Sequence, residues 1–114
     1  MKQQKHDWDK TKELVAPNVR AVVTTTQPNL GEFTGIDEYM EIKVKAAQLI
    51  EPGSLEVLSA IGDERNALIM VTFRIGVGAG GSMVTMARTG LYLLDENKKI
   101  KEERDSFFVL LWKP

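Results

Sequence analysis

Residues 98–114 read KKIKEERDSFFVLLWKP, and Asp105 stands near the point where a charged run passes into six apolar residues, Phe107 to Trp112. If this stretch is a strand, alternation puts Asp105 on one face with Phe107 and Val109, so its carboxylate points toward an apolar interior. Desolvation raises the proton affinity of such a group and lets it exchange protons near neutral pH, which is the chemistry of a general acid or base. The competing reading places Asp105 in water or beside an arginine. Glu103, two residues earlier, is the second acid candidate.

Lys43 is the next polar residue in an unexpected place. The sequence predicts a helix from Thr34, with Asp37 in a capping-box position, to about Ile50, ahead of Pro52 and Gly53. Ile36, Tyr39, Met40, Val44, Ala47 and Ile50 lie in its apolar arc, and Lys43 projects near the middle of that arc. A lysine there either reaches Asp105 or Glu103 across an interior or acts as an amine whose proton affinity falls on burial. Alternatively its stem packs on apolar neighbours and its ammonium extends to water, which is the outcome expected here. Arg88 is a third candidate. Whether it shares a face with Asp105 depends on a bulge near Glu96-Asn97, and the sequence leaves both registers open.

Other chemistries lack their residues. There is no cysteine, hence no thiolate nucleophile, disulfide or zinc–thiolate site, and the one histidine, His6, sits in the polar start of the chain. No metal or cofactor site is expected. The 114 residues carry a net charge of −1 with no basic block, which argues against nucleic acid and acidic membranes as partners. No signal peptide or membrane-length apolar run is present, so a cytoplasmic protein of one domain, 1–114, is expected. The glycine-rich GVGAGG (76–81) joins two strands with no helix after it, so it reads as a hairpin tip and not a phosphate loop. Met70, Met83 and Met86, with Trp8 and Trp112, read as core or interface.

These residues need a scaffold. A short helix over Trp8 to Val15, capped by Asp7 and stopped by Pro17, precedes a β-branched strand, Val19 to Thr26. QPNLGEF reads as a loop and leads to the main helix. Four strands follow, at about 54–61, 66–77, 83–94 and 99–112, joined by GDER, GAGG and DENK. This order gives an α+β domain with a meander. ALIMVTF (67–73) and FFVLLW (107–112) are continuous apolar runs that ask for burial on both faces. About two helices cover one face only. A second copy of the sheet is expected on the other, burying Phe108 and Leu110 beside Arg104 in a homodimer.

Three stretches, HDWDKTKELVAPNVRAV, FTGIDEYMEI and LYLLDENKKIKEERDSF, resemble the nuclear transport factor two-like superfamily, particularly its SnoaL-like branch. The resemblance implies a cone: a strongly bent antiparallel sheet packed on helices, with an apolar pocket at the wide end. It also implies a further N-terminal helix, for which only about six residues are available, so that helix is expected to be short or missing and the pocket open. Lys98 occupies the turn position where the family has a left-handed glycine, at a cost of about 1 kcal/mol.

On the same resemblance, Asp105 matches the pocket carboxylate of SnoaL-like cyclases and limonene-epoxide-hydrolase-like enzymes. Ketosteroid-isomerase-like chemistry is disfavoured, because Thr25 and Thr26 end the first strand and Gly90 falls at the acid-donor position. The epoxide hydrolase relay is disfavoured because Val71 and Phe73 replace its Arg-x-Asp, although Thr25 and Gln27 match positions that hold water there. The expected site is Asp105 as the catalytic acid/base, with Thr25, Gln27, Tyr39, Lys43, Val71, Phe73 and Phe107 around a small apolar molecule, polyketide- or terpenoid-like. Its expected activity is that of a cofactor-independent isomerase or cyclase. The alternative is a non-catalytic ligand-binding or dimerisation module of the same fold.

Overall fold

The computed structural model describes residues 7–24, 31–77 and 81–110. Asp7 opens helix α1 (Trp8–Glu13) by accepting a hydrogen bond from the Lys10 N–H at 3.1 Å. Strand β1 (Val15–Thr24) follows at once, four residues earlier than the sequence suggests. Its pairing is irregular between Val15 and Arg20, the stretch that holds Pro17. A proline with no N–H is tolerated in a strand where the ladder is interrupted.

A short edge strand, β2 (Glu32–Thr34), lies in the segment read from sequence as a loop, and it pairs antiparallel with residues 20–22 of β1. This pairing changes how the main helix, α2 (Ile36–Leu49), begins. Thr34 is held opposite Arg20, so it does not cap the helix, and the expected capping box does not form. Gly35 takes the N-cap position with φ 94°, a turn that glycine makes without penalty, and its N–H donates to Val19 O at 2.8 Å. At the far end Ile50 bridges Ile75, and the Glu51 N–H donates to Arg74 O at 2.8 Å. The helix is thus tied to β1 at its start and to β4 just past its end, and it crosses one face of the sheet.

The remaining strands are β3 (Glu56–Gly62), β4 (Asn66–Val77), β5 (Ser82–Leu94) and β6 (Ile100–Val109). The sheet order is β2-β1-β6-β5-β4-β3. Every neighbouring pair is antiparallel except β1 and β6, which run parallel, so the sheet is mixed and open. The fold is an α+β cone with short helices. Lys98, in the β5–β6 turn, adopts φ 64°, the left-handed conformation its position demands. Val15, Val19, Ala21 and Tyr39 form a buried cluster, with Phe33, Ile36, Met40 and Ile100 packed on it. No helix among the described residues is long and apolar enough to cross a membrane.

Candidate functional site

The β5–β6 register decides which side chains meet. Gly90 lies opposite Asp105, Tyr92 opposite Glu103 and Arg88 opposite Phe107. Directly paired residues share a face, so Arg88, Tyr92, Glu103, Asp105 and Phe107 all project to one side. Across the next ladder Val71 pairs with Arg88 and Ile69 with Gly90, while Val23 of β1 pairs with Asp105. The same face therefore carries Val71, Phe73, Phe107 and Asp105, four of the residues expected at the site. The Phe73 and Phe107 rings pack edge to face, 6.4 Å between centroids. Gly90 leaves the room that this cluster needs. A Cβ there would come within 3.0 Å of Asp105 Oδ1 and 2.9 Å of Tyr92 Cε2.

Helix α2 supplies the opposite wall. Tyr39 donates its hydroxyl proton to Glu103 Oε1, and Lys43 donates to Glu103 Oε2. The Lys43 ammonium also lies 3.8 Å from Asp105 Oδ2. It turns inward, not out to water as the sequence reading favours, because a buried carboxylate stands within its reach. Arg88 resolves its open register by joining the same cluster. Its NH2 donates to Asp105 Oδ1 at 2.9 Å and to Glu103 Oε2 at 3.1 Å, its Nε to Asp105 Oδ1 at 3.2 Å, and its NH2 also to the Tyr92 hydroxyl.

Both readings of Asp105 thus contain something of the structure. It is paired with an arginine, yet only 4% exposed. Burial pushes its proton affinity up, and the hydrogen bond with Glu103 adds to this, outweighing Lys43 and Arg88, so that it titrates at about 7. Burial acts the same way on Glu103, but the bonds from Asp105, Lys43 and Tyr39 overcome it and hold that group down at about 2. Tyr39, Lys43 and Arg88 all donate to Glu103, which favours the charge on Glu103 and the shared proton on Asp105. Burial raises both phenols, Tyr92 to about 12, so both stay protonated donors or acceptors at neutral pH. Burial opposes the charge on Arg88, but Asp105, Tyr92 and Glu103 more than restore it.

The sequence reading understates two members of this cluster. Glu103, fully buried, is its hub, although strand alternation had placed it beside Asp105. Tyr92 goes unremarked, and its signal was its position four residues from Arg88 on the same face of a strand. Tyr39 lies at the site, with its hydroxyl committed to Glu103. Thr25, Gln27, His6 and Trp112 lie outside the described residues, as does part of the GVGAGG turn. A cleft of about 290 Å³ opens elsewhere, where the chain leaves α2, and is lined by Glu51, Ser54, Thr72, Phe73, Arg74 and Thr85. Of the expected site residues it shares only Phe73.

A family model described as the SnoaL-like domain matches residues 3–103. The chain belongs to the SnoaL-like domain family. Solved structures agree on the fold of this SnoaL-like domain at low sequence identity. An NTF2-like protein of unknown function from Cytophaga hutchinsonii is 13% identical with a TM-score of 0.69, covering 88% of this chain and 84% of that one. A SnoaL-like polyketide cyclase candidate from Jannaschia sp. CCS1 is 16% identical with a TM-score of 0.70, covering 91% and 72%. A steroid delta-isomerase from Pseudomonas aeruginosa is 12% identical with a TM-score of 0.69, covering 90% and 68%. No curated protein matches the chain significantly.

Proposed function

We propose that this SnoaL-like domain binds a small, mostly apolar carbonyl compound on its concave face and moves a proton on it with Asp105, as a cofactor-independent isomerase or cyclase. One observation carries the reading: a carboxylate buried at Asp105 shares a face with Val71, Phe73 and Phe107, where burial pushes its proton affinity up. Ionised Asp105 takes a proton from the carbon beside the carbonyl. The C–H bond breaks, an O–H bond forms on Asp105, and the electron pair moves onto the carbonyl oxygen. Lys43 and Arg88 stand ready to hold that oxygen as an enolate. Return of the proton to another carbon completes an isomerisation. Attack of the enolate carbon on a second carbonyl, with the proton quenching the new alkoxide, completes an aldol cyclisation. Solved structures of the same fold include a steroid delta-isomerase and a polyketide cyclase candidate, which makes either outcome compatible with the scaffold.

The test is hydrogen–deuterium exchange at the acidic carbon of 2-tetralone, an apolar bicyclic ketone, followed by NMR. The unmodified protein should accelerate exchange, and Asp105→Asn should reduce the acceleration by about 100-fold or more. Absence of any acceleration favours the non-catalytic alternative. That alternative draws on a specific observation, since Asp105 lies beneath its cationic partners.

The outward face of the sheet supports a second proposal, a homodimer. Leu68, Met70, Phe108 and Leu110 are exposed there, on the side away from α2. A second copy of the same face would remove this apolar surface from water.

A further inference from the structure

The cluster is layered by charge. The side chains of Glu103 and Asp105 are 0% and 5% exposed, whereas those of Lys43 and Arg88 are 25% and 21% exposed. A molecule reaching this face meets the ammonium and the guanidinium before it meets either carboxylate. The cations are flanked by rings: Lys43 Nζ lies 5.2 Å from the Tyr39 centroid, and Arg88 Cζ 5.9 Å and 6.0 Å from those of Tyr92 and Phe107. Charge sits beside flat apolar walls, which suits an apolar body with one negative oxygen group.

We infer that Lys43 and Arg88 form an anion seat, so that the domain takes as its ligand an apolar molecule bearing one carboxylate or enolate, with one proton passing to Asp105 as it binds. The groups facing the seat are Tyr39 and Lys43 from α2, Arg88 and Tyr92 from β5, and Glu103, Asp105 and Phe107 from β6. At the paired positions on the other two flanking strands, β1 contributes Ala21 and Val23, and β4 contributes Ile69 and Val71, none of them charged. Two cations thus face two carboxylates. With Asp105 ionised the group is neutral, and an added anion would leave a buried surplus negative charge. A proton on Asp105 removes the surplus and frees Arg88 to turn its donors to the ligand. The seat then holds the charge arrangement that follows proton abstraction, neutral Asp105 beside an enolate. A bound carboxylate would therefore imitate the intermediate of the proposed reaction, and the inference rests on that proton-transfer reading.

The test compares 2-naphthoate with its neutral isostere 2-naphthamide by titration calorimetry, in Tris and in HEPES, whose different ionisation heats report proton movement. The naphthoate should bind about tenfold tighter or more, as a charge-assisted contact gives. Proton uptake should approach about one at about pH 8 and fall toward none near pH 5.5, where Asp105 already holds its proton. Lys43→Met should bring naphthoate affinity down to that of the amide. Equal affinities of the two ligands, failure of both to bind, or naphthoate binding without proton uptake at the higher pH would each overturn the inference. The unmodified protein decides this even where Lys43→Met does not fold. The tetralone exchange separates the two readings: Asp105-dependent exchange with no preference for naphthoate removes the anion seat alone. Naphthoate binding with proton uptake but no exchange leaves the seat as a binding site and removes the catalytic reading.

Discussion

Gly90 lies directly across the β5–β6 ladder from Asp105, and its missing side chain is the space that the Asp105 carboxylate and the Tyr92 ring occupy. A methyl group at Gly90 meets both at 3.0 Å or less, and the ring is further held by Arg88. Gly90→Ala is expected to cost about 1–3 kcal/mol by overpacking. It should also shift the Asp105 titration, because the carboxylate must move relative to Arg88. Urea denaturation and carboxylate NMR measure the two effects. Unchanged values of both would mean that the site yields freely and that glycine is not required there.

Lys43 ties α2 to β6 through Glu103. Lys43→Met should destabilise the fold by about 3 kcal/mol, since Glu103 is left buried with less compensation. Lys43→Met combined with Glu103→Gln should cost much less than the sum of the singles. A double-mutant cycle is expected to give a coupling above about 1 kcal/mol, and a coupling near zero would show that Arg88 and Tyr39 satisfy Glu103 without the lysine.

Stability should depend on pH in two opposite steps. Asp105 rises from an ordinary 3.8 to about 7 in the fold, so the folded state binds this proton more tightly than the unfolded chain does. Its contribution is present below the lower value and is lost as pH climbs through that interval. Glu103 falls from 4.5 to about 2, so its contribution is absent in strong acid and grows as pH rises across that range. For this pair the maximum falls between about pH 4 and 5. Asp105→Asn should flatten the decline above the maximum in denaturation midpoints, and an unchanged decline would assign it to other groups.

Phe108, 40% exposed on the outward face, tests the proposed dimer. Phe108→Asp should convert a dimer into monomers or unfold the chain, because a charge would lie unpaired in an apolar contact. Sedimentation of the unmodified chain as a monomer at micromolar concentration would remove the proposal.

The strands that carry the site were legible in the residues. The expected 66–77 and 83–94 lie within a residue of β4 and β5, because long β-branched and apolar runs between turn residues leave few alternatives. Alternation likewise put Glu103, Asp105 and Phe107 on one face, and helical periodicity turned Lys43 inward. What local pattern could not supply was the choice between pairing and extension to water. Lys43 either snorkels or pairs according to whether a carboxylate waits at the end of its reach, and Glu103 lies 60 residues away in sequence. Arg88 joined the cluster because the irregularity between Leu93 and Leu94 set the β5–β6 register, a matter of turn geometry and not of composition. Thr34 lost its capping role because β1 claimed its backbone, and β1 lies parallel to β6, the strand most distant from it along the chain. Local preferences of a fraction of a kcal/mol to about 1 kcal/mol set each element's type. Burial of Glu103 and Asp105 among cations is decided only when distant strands and the helix close over them, and that closure holds the proton affinity of one carboxylate down while it pushes the other's up.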